Sequence, residues 1–491
     1  MPYLAPEIIL TALAIVLLLL EAYGAISARS VGIWSLVGIA VAIVVTLFTE
    51  VGAEPMYFWT DPNAAEGTAG KGLYMWDATA RFYKLFFLGT TGLVIWMSME
   101  SAAQPVGPKT QPIRAEFYIL PLFVAAGMCL LASAADFMVL FVSLELVTIT
   151  FYILVAYQRE SATALEAGVK YLILGGLATA FLVMGIAYVA GFAGTTSFAG
   201  IIAKYNTPDH LPVAVALGLL MILVGFGFKI ASVPFHLWAP DVYQGAPTPI
   251  TAFLSVGSKA AGFIVLVRVL NEAFGPTAYA TWGPALTAIA GCSLVLGNFA
   301  AMHQRNIKRM LAYSGVGHSG FILMAVLSGG VPDGPGIAQA GMTAVAVYLA
   351  TYFLASLTAF LVITIVSPTP EEESIRSYNG LWQRSPLLAA ALAASLISLA
   401  GIPPFAGFVG KLGAFVVALQ FHHYGLFFIA AISAVAGLYY YLGVVKAMFW
   451  SEPLEVTPIQ VSVPTQVLLT ILIFLLIATG LCMEVFAWLV R

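Results

Sequence analysis

Charge is scarce in this sequence. Only 9% of its 491 residues are Asp, Glu, Lys or Arg, against about a quarter in soluble globular domains, too few to build a surface that faces water. Cysteine is scarcer still: Cys129, Cys292 and Cys482 stand alone in apolar runs, with no paired spacing suited to zinc or an iron–sulfur cluster. They are expected to be small core residues. Clusters of basic residues are missing too, and the net charge of −3 gives no footprint for nucleic acid. The first apolar run begins at Leu4 without a basic leader or a clear cleavage site, so it is expected to be a retained span rather than a signal peptide. No phosphate loop, metal motif or nucleophile triad stands out, so no substrate chemistry or metal site is expected within this chain.

What the sequence has is apolar surface. Hydrophobic residues make up 61% of it and the mean hydropathy is +0.97, which together describe an integral membrane protein. A span needs about 20 apolar residues. Apolar runs bounded by polar, Gly- or Pro-rich breaks predict about fourteen helices, at roughly 4–22, 31–49, 75–98, 116–134, 137–157, 162–190, 213–233, 248–270, 284–302, 309–329, 341–366, 386–420, 425–449 and 465–489. The longest polar breaks are 50–74, 99–115 and 367–385. The expected fold is therefore an all-α polytopic membrane protein, with 1–491 as one membrane domain.

Basic residues set the expected orientation. Arg29, Lys109, Arg114, Arg159, Arg305, Lys308, Arg309, Arg376 and Arg384 fall on one side, with Lys446 near it; Lys71, Lys204 and Arg491 fall on the other. The positive-inside rule makes the first set cytoplasmic and puts both termini outside. Arg81 and Lys84 weaken the contrast but are expected to snorkel from the third span.

Two features hint at duplication. "TAFLV" occurs at 179–183 and again at 358–362, five spans later, and the span after each is interrupted by proline, in "SVPFHLW" and "GIPPFAG". Interrupted spans at corresponding positions of two repeats point to an ion path. An odd number of spans between them makes five-helix repeats inverted.

The informative residues are ionisable ones far from any loop. Glu145, Lys229, Lys259, His318 and Lys411 lie mid-span, and Lys170 lies about two turns from a loop. A charge at the centre of a helix costs about 2.5–3.5 kcal/mol on insertion scales. Pairing or snorkelling explains some such charges, Lys170 more readily than the others, and His236 and His318 are as consistent with hydrogen-bonded core histidines. Lysine suits proton movement because burial favours the neutral amine while a nearby carboxylate favours the ammonium. Pro234 cannot donate to the carbonyl of Ile230, and Pro403 and Pro404 free those of Leu399 and Ala400. Water in a protein-lined cavity is one partner for such carbonyls, so lysines beside hydrated breaks would form a proton wire. "GVGHSG" at 315–320 matches a dinucleotide-binding pattern, but no strand precedes it; its glycines are expected to allow close helix packing.

"HLWAPDVYQGAPTPITAFLSVGSKAAG" (236–262), "NIKRMLAYSGVGHSGF" (306–321) and "GIPPFAGFVGK" (401–411) resemble the antiporter-like subunits of the proton-pumping NADH:quinone oxidoreductase, respiratory complex I, and among them the subunit N type. The similarity covers essentially the whole chain. The residues after the tryptophan in "HLWAPDVYQGAPTP" set it apart from subunits L and M and from Mrp antiporter subunits. The resemblance implies three N-terminal spans in 1–115, inverted five-helix repeats over 116–270 and 284–449, each with a discontinuous helix, and a last span in 465–491. It implies that Glu145 pairs with Lys229, that Lys259 is a central relay, and that Lys411 leads to the opposite half-channel. Lys170 matches a lysine of less certain role, and His236 and His318 fall at relay or hydration positions. It further implies a multi-pass protein of a bacterial plasma membrane, whose partners are the other membrane subunits, including sibling antiporter-like ones, and the bilayer. No cofactor is expected here: flavin, iron–sulfur clusters and quinone belong to partner subunits. The alternatives are a stand-alone or Mrp-type cation/proton antiporter subunit and a membrane scaffold.

Overall fold

The structure is a computed structural model that describes residues 2–52, 54–60, 72–103, 113–205, 211–329, 335–367, 373–454 and 457–481. Lys71, Lys109, Cys482 and Arg491 lie outside these residues. Eleven helices among the described residues are long and apolar enough to cross a membrane, and four more are apolar but shorter: Glu116–Ala132, Val213–Lys229, Pro386–Ala400 and Ala406–Gln420. The chain is thus an all-α membrane protein. Helix starts follow the polar punctuation of the sequence: Ser27, Asp136 and Ser161 each accept a backbone N–H of the helix they precede.

The breaks fall where proline puts them. The Val213–Lys229 helix ends one residue before Ile230, a turn follows, and Trp238–Gly245 resumes the path. Pro386–Ala400 ends on Gly401 and Ala406–Gln420 resumes. Lys229 is the last residue before its break, whereas Lys411 lies after its own, so the two cations stand on opposite sides of the interruptions.

Three helices, Thr248–Phe274, Ile307–Leu327 and Ala340–Val366, are buried along nearly all their length, while Ala5–Ala22 and Val463–Leu481 mostly face outward. Thr248–Phe274 alternates between α and π geometry, with π turns at Leu254–Ser258 and Val269–Phe274. Lys259 is the first residue after the earlier π turn, a kind of distortion that recurs at functional positions. The "GVGHSG" run is helical, within Ile307–Gly329, and meets Tyr279–Ala301 closely: a Cβ on Gly317 would lie 2.6 Å from Asn298 Nδ2, and one on Gly320 2.8 Å from Leu294. Its glycines serve packing.

Several expectations are corrected. The 50–74 break holds most of an antiparallel strand pair, Met56–Thr60 with Gly72–Trp76, which runs two residues into the expected 75–98 span; these aromatic-rich runs have strand propensity that a search for long apolar runs does not register. Lys84 does not snorkel. It is fully buried, 2.5 Å from Glu7, and also bonds the Tyr74 hydroxyl. Lys308 is no loop charge either: it is 2% exposed and lies 2.6 Å from Glu373. Arg268, absent from the expected set, is buried and holds Asp77 at 2.8 Å and Glu272 at 2.7 Å. Cys129 is buried, but Cys292 is exposed, because the outside of a membrane bundle is itself apolar. The "TAFLV" copies occupy unlike surroundings: 358–362 is wholly buried, and most of 179–183 is not.

The Glu7–Lys84 pair ties the first helix to the third. Glu7→Ala strands a buried ammonium, so it is expected to destabilise the protein by about 3–5 kcal/mol, read as an earlier unfolding midpoint in detergent. Glu7→Leu combined with Lys84→Met is expected to recover most of that loss.

Candidate functional site: a line of buried lysines

Lys229, Lys259 and Lys411 are 3%, 2% and 6% exposed, and each ammonium has a neutral acceptor. Lys229 Nζ donates to Thr148 Oγ1 at 2.9 Å. Thr148 donates its own proton to the Leu144 carbonyl at 2.7 Å, which leaves its lone pairs for the lysine. Lys259 Nζ donates to the Gly315 carbonyl at 2.6 Å and lies over the Tyr352 ring, 5.3 Å from its centroid. Lys411 Nζ donates to the Ala400 carbonyl at 2.8 Å and lies over Phe321 at 5.1 Å.

Glu145 and Lys229 do not form an ion pair in this structure. Glu145 accepts from Thr179 Oγ1 at 2.9 Å, while Lys229 is held by Thr148. Between the two threonines is a cavity of about 10 Å³ lined by Thr148, Thr179, Gly225 and Lys229, at the lower bound of room for one water. Glu145 and Lys229 each bond a threonine hydroxyl, and those two threonines line the same small cavity.

The freed carbonyls of the breaks have side-chain partners. Ser319 Oγ lies 2.6 Å from the Ile230 carbonyl that Pro234 releases, and 3.1 Å from the Gly315 carbonyl that holds Lys259. One hydroxyl therefore links the break beside Lys229 to the acceptor of Lys259. At the second break Lys411 itself takes the carbonyl of Ala400. Gly401 makes room for it: its φ is +84°, and a Cβ there would come within 2.6 Å of Lys411 Cδ. The sequence suggested water at both breaks; protein groups fill these two positions.

His318 joins the line. It is 6% exposed, and both Lys259 and Lys411 act on it electrostatically. Its Nδ1 is 2.7 Å from the Tyr348 hydroxyl and its Nε2 3.0 Å from that of Tyr441, and its ring packs 5.0 Å from Tyr352. Tyr348 in turn stacks on Phe321, the ring under Lys411. Hydrogen bonds thus join Lys229 to Thr148, Lys259 to the Gly315 carbonyl shared with Ser319, and His318 to Tyr348 and Tyr441.

Two expected residues stand apart. His236 is buried within the first break, its Nδ1 without a hydrogen-bond partner among the described residues. Lys170 is not enclosed by the bundle: its side chain is 41% exposed, 2.7 Å from both Glu166 and Asp241. Asp241 also binds Arg309 at 2.5 Å, so Lys170 belongs to a surface ion cluster.

Residues 134–437 match the family described as NADH:quinone oxidoreductase/Mrp antiporter, TM. The chain belongs to that family. A curated relative, NADH-quinone oxidoreductase subunit N of Desulforamulus reducens, is 37% identical over 93% of this chain and 90% of its own length. A chain of respiratory complex I from Thermus thermophilus is 32% identical, with a TM-score of 0.79 over 98% of this chain and 97% of that one. A chain of the Mrp complex from a Dietzia species shares the fold, with a TM-score of 0.82 over 99% of this chain and 96% of that one, at 18% identity. Within this antiporter family frame, the sequence missed Thr148, Thr179, Ser319, Tyr348, Tyr352 and Tyr441, which are ordinary residues until the fold sets them against a lysine.

Ser319→Ala leaves the buried Ile230 carbonyl without that donor. It is expected to destabilise the protein by about 1–3 kcal/mol, measured by thermal unfolding in detergent, with Ser319→Thr closer to the original.

Proposed function

We propose that this chain is an antiporter-like membrane subunit of an NADH:quinone oxidoreductase, and that it moves protons along Lys229, Lys259, His318 and Lys411. One observation carries the reading: its buried lysines fall into two kinds. Lys84 and Lys308 touch a carboxylate directly, which holds a cation in its charged form. Lys229, Lys259 and Lys411 touch only neutral oxygens among the described residues. A hydroxyl or carbonyl stabilises an ammonium without fixing it, so these three can release and regain a proton inside the bundle.

Glu145 supplies the control. With two threonine hydroxyls between it and Lys229, a small approach of the carboxylate favours the ammonium, and a small retreat frees the proton for Lys259. Quinone reduction in partner subunits would drive that change. Flavin, iron–sulfur clusters and the quinone headgroup are assigned to those partners, and to this chain only proton transfer. Grouping Val213–Lys229 with Trp238–Gly245, and Pro386–Ala400 with Ala406–Gln420, gives fourteen crossings, with inverted five-helix units over 116–270 and 284–449. The excess of Lys and Arg on one side favours a bacterial plasma membrane protein with both termini on the outer face.

The test uses the assembled oxidoreductase in liposomes. Lys229→Ala is expected to lower NADH-driven proton translocation at least about tenfold, the scale of losing a proton-transfer group. Thr148→Val, which removes one hydrogen bond worth about 1 kcal/mol, is expected to slow it by about fivefold. Unchanged pumping in Lys229→Ala refutes the relay. A stand-alone antiporter would instead exchange cations for protons when this chain alone is reconstituted without NADH.

A further inference from the structure

One cavity is not used by the lysine line. It has a volume of about 580 Å³ and is lined by Gln304, Met310, Tyr440, Gly443 and Lys446, among others, at the end of the bundle that carries Arg305 and Arg376. Behind it is a run of polar groups. Tyr440, 5% exposed, donates to Asn298 Oδ1 at 3.2 Å, and its ring centroid is 4.3 Å from that of Tyr441. Tyr441 and Ser314 are bonded through their hydroxyls, and Tyr441 reaches His318 Nε2 at 3.0 Å. From the cavity wall to the histidine the run passes through the Tyr440–Tyr441 ring contact and then the Tyr441–His318 hydrogen bond.

We propose that the cavity and the Tyr440, Ser314, Tyr441, His318 chain form a second proton entry, joining the lysine line at its middle rather than at Lys229. The inference rests on the reading that Lys229, Lys259 and Lys411 carry protons. A hydronium in the cavity gives a proton to the Tyr440 oxygen as that hydroxyl passes its own proton inward, leaving neutral water behind. Tyr441 likewise gives its proton to His318 Nε2 and is reprotonated from Ser314 or Tyr440. Each hydroxyl takes one proton as it gives one, so none ends charged and the only new ion is the His318 imidazolium. That imidazolium then recharges Lys259 or Lys411, whichever is neutral. Tyr348 on Nδ1 fixes the ring so that Nε2 faces Tyr441.

The arrangement explains why a histidine stands between the two later lysines with both nitrogens bonded to phenols. It also lets Lys411 be reloaded without a proton crossing from Lys229, so the second half of the line keeps its own supply.

The experiment uses the assembled oxidoreductase in liposomes and reads the initial rate of NADH-driven proton translocation in H2O and D2O. Tyr441→Phe breaks the chain, and Gly443→Leu fills the cavity at a position where a Cβ meets nothing within 4 Å. Each is expected to slow translocation at least about tenfold and to raise the solvent isotope effect, which a packing defect alone would leave unchanged. Loss of pumping in Lys229→Ala with wild-type rates and isotope effects in both Tyr441→Phe and Gly443→Leu overturns the side entry and leaves the lysine line standing. Wild-type pumping in Lys229→Ala refutes the lysine relay, and with it the side entry as stated.

Discussion

An ammonium in a hydrocarbon slab must find an oxygen, and the choice of that oxygen organises this protein. Where the oxygen is a carboxylate, the helices are pinned: Glu7 and Lys84 join the first and third helices, and Arg268 gathers Asp77 and Glu272. Where it is a hydroxyl or a backbone carbonyl, the charge is tolerated but not fixed. Lys229, Lys259 and Lys411 are of this second kind, and all three border the buried central helices. Both kinds occur on the buried helices: Arg268 and Lys259 share Thr248–Phe274.

The proline breaks serve this arrangement by exposing carbonyls at depth. Ala400 presents its carbonyl to Lys411, and Ile230 presents its own to Ser319. Ser319 then reaches the Gly315 carbonyl on which Lys259 rests, so a backbone defect beside one lysine is one hydroxyl away from the support of the next. A conformational change at the first break therefore has a short path to the second station, through one side chain with two alternative acceptors.

The buried lysines were legible in the sequence, and their partners were not. A lysine inside a long apolar run has few explanations, so Lys229, Lys259 and Lys411 stood out by cost alone, and the prolines marked the breaks. Thr148 is 81 positions from Lys229 and Gly315 is 56 from Lys259; nothing local marks a threonine or glycine as an acceptor for a distant cation. Glu145 was placed in the right cluster, but the two intervening hydroxyls were invisible. Lys170 was readable from its helix register, while its ion-pair neighbours, Glu166 and Asp241, were not. Arg268 and Lys84 escaped notice as buried charges because distance along the chain from a loop is a poor measure of depth in a folded bundle. The hairpin at 56–76 was lost for a related reason: an aromatic run of five residues is too short to register against spans of twenty.

The central claim is that a neutral acceptor leaves a buried lysine free to change its protonation, whereas a carboxylate holds it. The direct measurement gives Lys259 a carboxylate: Tyr352→Glu, at the ring over which the ammonium lies, assayed in the assembled oxidoreductase for protons translocated per electron pair. The account requires a lower ratio, restored toward the original by Tyr352→Gln, which is similar in size and carries no charge. An undiminished ratio in Tyr352→Glu, in complex shown to assemble with its full complement of this chain, would contradict it.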